Sequence, residues 1–234
     1  MELILVRHAQ PDWTDADGNG RNDPGLTELG HHQAARVAGV LADPSAGPTP
    51  GPVDRLVASP AIRAQETAAP IAAALDLPLE TLPWLWELRN PDAWEGHPMS
   101  AIQAAFDEFK GRTRADMWSG IEGMESFHDF HERIIGGLHG LLRELGVTAG
   151  KEAGLWEMEE PTPQRVVAVA HGGTNSTIVA HLLGVRPEPW EWDRFMMGHA
   201  SVAVLTTTAC AGAHIWSLRA LGDANHLDVA VRTR

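Results

Sequence analysis

Residues 165–171 read RVVAVAH, an uninterrupted apolar run that ends in a histidine. A short run of this kind is typical of a strand buried on both faces of a parallel sheet. Two further runs have the same character, ELILV at 2–6 and RLVAS at 55–59. Segments with helical spacing alternate with these runs along the chain. This alternation predicts an α/β fold, a three-layer sandwich in which helices flank a mostly parallel central sheet.

The rest of the chain divides into helices, weaker strands and connections. The pattern predicts helices from Thr27 to about Leu41, from Ser59-Pro60 onward, from about Ser100 to Lys110, from Phe127 to Leu145 and from Gly173 to Leu183. In the second of these, Ser59 would be the N-cap and Pro60 the first helical residue. Strands are predicted within 77–82 and, as a closing hairpin, at 201–207 and 214–219. Residues 44–52 are predicted to form a surface connection and residues 148–164 an acidic loop.

The length and composition of the chain indicate how many domains it forms. A chain of 234 residues is expected to form a single domain over 1–234. Residues 83–124 interrupt the strand–helix alternation and contain four tryptophans among Gly, Pro and charged residues. We interpret this segment as a small inserted cap that covers a pocket. Its tryptophans are expected mainly in the core, with lining of the pocket as the alternative.

Charge and cysteine content exclude several classes of function. The chain has 31 acidic and 18 basic residues, a net charge of −13, which disfavours nucleic-acid or anionic-membrane partners. No apolar stretch approaches the length of a membrane span. Cys210 is the only cysteine, so neither an internal disulfide nor a cysteine-based zinc site can form. The first apolar run is short, has no basic stretch before it and ends at Arg7, so we expect no signal peptide and a cytoplasmic protein.

Basic and imidazole side chains follow each of the three strongest strands. Arg7 and His8 follow the first, Arg63 comes shortly after the second, and His171 follows the third. The carboxyl ends of parallel strands meet at one edge of a sheet, where ligands bind. The sequence therefore predicts two histidines and two arginines in one crevice, a local positive site in an acidic protein.

This set of groups suits a phosphoryl ligand. The guanidinium group presents a planar fork of donors that matches phosphate oxygens. The Gly172-Gly173 turn would open a helix, and its backbone amides also favour an anion. A neutral imidazole can attack phosphorus and form a covalent intermediate. Neighbouring arginines disfavour the imidazolium form and would keep His8 nucleophilic.

Seven segments, in this order and spacing, resemble the histidine phosphatase superfamily, the phosphoglycerate mutase-like enzymes. They are LVRHA at 5–9, NDPGLTELG at 22–30, SPAIRAQETA at 59–68, LWELRNPDAWEG at 85–96, GMESFHDFHERI at 123–134, AHGGT at 170–174 and HASVAVL at 199–205. The resemblance spans most of the chain. It departs from the family pattern where Ala9 replaces the usual glycine and where Gln10 replaces an acid or threonine.

The resemblance implies a role for each matching position. His8 would carry the phosphoryl group, and Glu87 would protonate the leaving oxygen and then help to activate water. Glu95 lies in the same segment and is a rival for that role. The ligands of the phosphoryl group would be Arg7, Arg63 and His171, with Gly172, Gln10 and Arg21 as further candidates. No metal and no organic cofactor is implied.

The expected activity is hydrolysis of a small phosphorylated molecule through a phosphohistidine. The arginine-rich insert associated with true phosphoglycerate mutases is missing, which favours hydrolysis over intramolecular transfer. Two alternatives stay open: a mutase of that type, and a module that binds phosphorylated ligands without catalysis. The sequence specifies neither the substrate nor the oligomeric state, and a homodimer is compatible with it.

Overall fold

The structure is a computed structural model that describes residues 1–43, 51–159 and 164–234. The predicted surface connection at 44–52 lies outside the described residues except for its last two positions. Residues 160–163 of the predicted acidic loop also lie outside them.

The described strands form one sheet in the order β3-β2-β6-β1-β7-β8-β5-β4. The strands are β1 (Glu2–Arg7), β2 (Arg55–Ala58), β3 (Leu79–Thr81), β4 (Val147–Ala149), β5 (Trp156–Met158), β6 (Arg165–Ala170), β7 (Val202–Cys210) and β8 (Ala213–Asp223). The half that contains β3, β2, β6 and β1 is parallel, whereas the pairings from β1 through β7, β8 and β5 to β4 are antiparallel. The predicted closing hairpin is β7–β8.

Helices cover both faces of this sheet. They are α1 (Glu28–Ala42), α2 (Ile62–Leu75), α3 (Met99–Lys110), α4 (Arg114–Ser119), α5 (Phe127–Glu144), α6 (Gly172–Leu182) and α7 (Glu191–Arg194). The N-cap of α1 is Thr27, whose hydroxyl oxygen accepts a hydrogen bond from the Gly30 amide, as the sequence predicted.

The side chains of the central strands alternate between the two faces of the sheet, so each face contributes to its own hydrophobic core. Leu3 and Leu5 of β1 belong to the core that α5 and α6 complete, whereas Ile4 and Val6 belong to the core that α1 and α2 complete. Successive strand residues point to opposite faces of a sheet, so a continuous apolar strand needs a helical layer on each side. The predicted three-layer α/β fold is confirmed.

Residues 83–124 leave the sheet after β3 and return at α5. They contain 3-10 turns at 83–85 and 92–94, followed by α3 and α4. The segment packs closely on α5, because the indole of Trp84 occupies the space beside Gly137. A β-carbon at Gly137 would lie 2.1 Å from an indole carbon, so only glycine allows this contact.

Two predictions about local structure are wrong. The second helix begins at Ile62 with Ala61 as its N-cap, not at Pro60, because the Ser59 hydroxyl contacts His171 and accepts from the Ala61 amide, which precedes the first turn of the helix. The region 148–164 is not a continuous loop. Its residues contribute to β4 and β5, which extend the antiparallel end of the sheet beyond β8.

The part of the chain that the structure describes contains neither a membrane-spanning helix nor a cluster of metal-ligating side chains. No helix among residues 1–43, 51–159 and 164–234 is long and apolar enough to cross a bilayer. Within the same residues, no group of three or more His, Cys, Asp and Glu side chains could hold a metal ion. The thiol of Cys210 is free and exposed at the end of β7.

Candidate active site

Strand register brings the two histidines together. Arg7 of β1 pairs with Ala170 of β6, so His8 and His171 follow directly at the same edge. The His8 amide continues the ladder by donating to the Ala170 carbonyl at 2.8 Å. The two imidazole rings stand edge to face with their centroids 5.1 Å apart. The predicted meeting of these rings at the carboxyl ends of parallel strands is therefore present in the structure.

The His8 ring is held in one tautomer. Its Nδ1 lies 2.8 Å from the Ala9 carbonyl oxygen, which can only accept, so Nδ1 carries the proton. In a neutral ring the lone pair is then on Nε2. Burial lowers the pKa of His8 well below its usual value, and the charge of Arg63 lowers it further. His8 is thus a neutral imidazole, and its Nε2 has no hydrogen-bond partner within residues 1–43, 51–159 and 164–234.

His171 is fully buried beside His8, with one ring nitrogen bound and one free. Its Nε2 lies 2.8 Å from the Ser59 hydroxyl. Its Nδ1 is buried and has no hydrogen-bond partner among the described residues. Burial, and then the charge of Arg63, lower the pKa of His171 well below its usual value. A buried polar atom without a partner is uncommon, and a bound ligand, ion or water molecule would satisfy it.

The two predicted arginines face the same space as His8. Arg7 donates through Nη1 to the Met197 carbonyl at 2.6 Å. Arg63 is paired with Asp23 at 3.3 Å, and its guanidinium lies 4.8 Å from the ring centroid of Trp13. Nε of each arginine is buried and unpartnered among the described residues, and burial lowers the pKa of both groups. Two fixed cations with unused donors form a site for an anion.

Glu87 is positioned by the start of α6. Its Oε2 accepts from the Gly173 amide at 2.8 Å, and its Oε1 from the Leu88 amide at 3.0 Å. A β-carbon at Gly173 would lie 2.6 Å from Oε1, so the glycine permits this approach. The Gly173 amide, predicted to bind a ligand anion, binds the Glu87 carboxylate instead.

Two cavities meet at these groups. The anion cavity, of about 700 Å³, contains the side chains of four arginines and one glutamate among its walls. The charged and imidazole residues that line it are Arg7, His8, Arg63, Glu87, His199, Arg232 and Arg234. The second cavity, here called the cap cavity, has a volume of about 740 Å³ and is walled mainly by residues of 83–124 and of the loop before α1. Both include Trp13, Arg63, Glu87 and Trp192, so they adjoin.

Of the other residues predicted for the site, only Gly172 contributes to the anion cavity. Gly172 lines the anion cavity, but Gln10 lines neither cavity, and its amide oxygen accepts from the Thr27 hydroxyl at 2.8 Å. Arg21 lines the cap cavity and pairs with Asp12. Glu95 is exposed, lines neither cavity and accepts a hydrogen bond from a backbone amide at 2.7 Å. Of the two rival acids, only Glu87 faces His8's cavity.

Two positioning residues were missed by the sequence reasoning. His199 accepts from Arg7 Nη2 at 3.2 Å, and its ring centroid is 5.6 Å from that of His8. Arg133 of α5 pairs with Glu125 at 2.6 Å and donates to the carbonyls of Trp84 and Trp86, which fixes the backbone that leads into the Glu87 segment. Both residues lie in segments that carried the family resemblance, but neither adjoins a strand end that pointed to the site.

The tautomer of His199 is set by Thr233. A guanidinium only donates, so His199 Nε2 accepts from Arg7 and Nδ1 donates to the Thr233 hydroxyl at 2.8 Å. Burial, followed by the charge of Arg7, lowers the pKa of His199 to about 3, which keeps the ring neutral. The chain Thr233–His199–Arg7 therefore orients one guanidinium of the anion cavity.

We predict that Thr233→Val weakens anion binding. The change leaves the buried Nδ1–H of His199 without its acceptor, a loss of about 1–3 kcal/mol. The inhibition constant of inorganic phosphate should rise about ten-fold, the equivalent of 1.4 kcal/mol. The matched control is Thr208→Val, whose hydroxyl bonds Ser217 in the β7–β8 hairpin. Equal inhibition constants for both variants and the parent would disprove the positioning role.

Comparison with known proteins assigns the class. The family model of the histidine phosphatase superfamily (branch 1) matches residues 3–217. The chain therefore belongs to the histidine phosphatase superfamily, whose members are phosphatases or mutases.

Individual relatives place the chain within this class. It is 25% identical to a probable phosphoglycerate mutase, GpmB, of Yersinia pestis, over 98% of this chain and 96% of that protein. It is 33% identical over 133 residues to the bifunctional protein Rv2228c of Mycobacterium tuberculosis, a match that covers 56% of this chain but only 35% of that relative's length. Among solved structures it is similar to a mycobacterial glucosyl-3-phosphoglycerate phosphatase in complex with inorganic phosphate. The TM-score is 0.68 at 26% identity, over 97% of this chain and 99% of that one.

Proposed function

We propose that this chain is a phosphomonoesterase that hydrolyses a small phosphorylated molecule through a phosphohistidine on His8. The observation that carries the proposal is the state of His8. Its proton is fixed on Nδ1 by the Ala9 carbonyl, which leaves the lone pair on Nε2, and His8 lines a cavity that also contains Arg7 and Arg63. A neutral imidazole beside two cations is suited to attack a phosphate ester.

The first half of the reaction transfers the phosphoryl group to the enzyme. His8 Nε2 attacks phosphorus, a nitrogen–phosphorus bond forms, and the bond between phosphorus and the ester oxygen breaks. The leaving oxygen takes a proton from the carboxyl group of Glu87. The products are the free alcohol and phosphorylated His8.

The second half returns the enzyme to its starting state. Glu87, now a carboxylate, accepts a proton from a water molecule that attacks phosphorus. The nitrogen–phosphorus bond breaks, inorganic phosphate leaves, and Nε2 of His8 regains its lone pair. One carboxyl group thus serves as acid and then as base, which fits its place at the junction of the two cavities.

Charge on the transferring group is stabilised by groups already in place. Arg7 and Arg63 line the anion cavity, and the Nε of each is without a hydrogen-bond partner among the described residues. His171 would donate from Nδ1 to a phosphoryl oxygen, provided that its Nε2 accepts from the Ser59 hydroxyl. Because these groups are oriented before the substrate binds, they need little reorganisation during the reaction.

Segment 83–124 would act as the cap of a single domain that spans 1–234. It supplies Glu87 and much of the cap cavity, so it would both carry the acid and select the leaving group. Trp86 lines that cavity, whereas Trp84 packs on α5 and Trp94 packs against Phe106. The described residues of the segment thus divide between core packing and the pocket.

Product analysis separates hydrolysis from the alternatives. We expect inorganic phosphate, measured by phosphorus NMR, and free alcohol, measured by proton NMR, in equal amounts across a panel of phosphorylated metabolites with His8→Ala as the blank. An isomerised phosphoacid with no phosphate released would identify a mutase. Binding of panel members without any product would identify a non-catalytic module, and either result would contradict the proposal.

A further inference from the structure

The cap cavity has the properties of a binding site for an apolar group. Its walls include three indoles, those of Trp13, Trp86 and Trp192. On one side it is closed by Met99, Ile102 and Phe106 of α3. These positions follow one another at intervals of three and four residues, so they lie on one face of the helix. A cavity of about 740 Å³ walled in this way has the size and character of sites that bind ring-containing molecules.

Charges around the cap cavity are balanced. Arg21 pairs with Asp12, and Arg63 pairs with Asp23. At the rim, the exposed residues Arg89 and Asp92 contribute one charge of each sign. This contrasts with the anion cavity, where four arginines face one glutamate. A second anionic group on the substrate would therefore find no excess of positive charge in the cap cavity, and would lose its hydration there.

The two cavities join where the leaving group must lie. Glu87 borders both, and its proton goes to the ester oxygen in the proposed reaction. With a phosphoryl group between His8 and Arg63, the alcohol portion would extend past Glu87 into the cap cavity, which Glu87 also lines. The chemistry of that cavity therefore determines which alcohols are accepted.

We propose that the cap cavity is the leaving-group site and that the enzyme selects phosphomonoesters of uncharged, apolar or ring-bearing alcohols. The inference rests on the proposed function, because it needs a phosphoryl group in the anion cavity. It separates this chain from enzymes that act on phosphorylated acids, in which the leaving group carries a carboxylate. Burial of the apolar alcohol supplies the binding energy.

A series of straight-chain alkyl phosphates tests the proposal, because their leaving groups have nearly equal pKa values and differ mainly in apolar length. From ethyl to hexyl phosphate, kcat/KM should rise by about four-fold for each added methylene. 3-Phosphoglycerate and phosphoserine should be poorer substrates than hexyl phosphate. Phe106→Ala should lower the ratio of hexyl to ethyl kcat/KM about ten-fold or more, since it removes apolar surface from the wall.

The control is Glu108→Ala, a truncation on the exposed face of the same helix, which should leave the ratio unchanged. A flat alkyl series, or a preference for the phosphorylated acids, would overturn the inference while phosphohistidine still formed on His8. If no ester were hydrolysed and His8 stayed unphosphorylated, the proposed function would fail and the inference with it. The two failures are therefore distinguishable by the state of His8.

Discussion

His8→Ala should abolish hydrolysis, with kcat lowered by about 10⁴-fold or more, because loss of a nucleophile removes the covalent route entirely. Alanine has no atom that can attack phosphorus, and water cannot replace the oriented Nε2. Steady-state release of inorganic phosphate from hexyl phosphate or from an aryl phosphate measures the loss. The anion cavity keeps its arginines, so the variant should still bind phosphate.

The matched control for this variant is His139→Ala. His139 lies on α5, contacts His181, and lines neither cavity. Both changes remove one partly or fully buried imidazole, so they separate the loss of chemistry from the loss of packing. Circular dichroism and the unfolding midpoint should show that both variants are folded. A His8→Ala protein that hydrolyses an aryl phosphate at the parent rate would show that His8 is not the nucleophile.

Glu87→Gln should have the second largest effect, and the effect should depend on the leaving group. Glutamine keeps the shape of the side chain but cannot supply a proton. For an alkyl phosphate, kcat should fall by about 10²–10⁴-fold, the usual contribution of a general acid. For 4-nitrophenyl phosphate, the stable nitrophenolate leaves without protonation, so phosphorylation of His8 should remain fast.

Removal of Glu87 should also expose the second half of the reaction. Water would lack its base, so the phosphoenzyme should accumulate and nitrophenolate should appear as a burst close to one equivalent per enzyme, followed by slow turnover. Glu95→Gln, a change in the rival acid, should behave as the parent. The assignment fails if Glu95→Gln shows the burst and Glu87→Gln does not, or if Glu87→Gln slows the phosphorylation of His8 equally for both esters.

Much of the fold was predictable because the central strands are apolar on both faces. The runs at 2–6, 55–59 and 165–170 can be stable only between two helical layers, and they became the adjacent strands β1, β2 and β6. The short strands β4 and β5 were missed. Each has three residues and includes exposed charged or polar side chains, so its place in the sheet comes from pairing and not from a local pattern.

Some residues of the candidate site were likewise predictable from the sequence, and others were not. His8 and His171 were predictable as neighbours because they follow strands directly, and register fixes such positions. The start of α2 was misjudged because Ser59, a good N-cap by sequence, has its hydroxyl directed to His171. His199 and Thr233 escaped notice because their roles depend on a contact between the residues before β7 and those after β8. Contacts between segments distant in sequence leave no pattern in either segment alone.

Rapid-quench trapping of the intermediate tests the central claim most directly. Enzyme mixed with a ³²P-labelled ester and quenched in alkali during turnover should carry label on the peptide that contains His8. The label should be stable to base, labile to acid, and lost at a rate that can account for turnover. Label on another residue, or active turnover with no label on any peptide, would contradict the account.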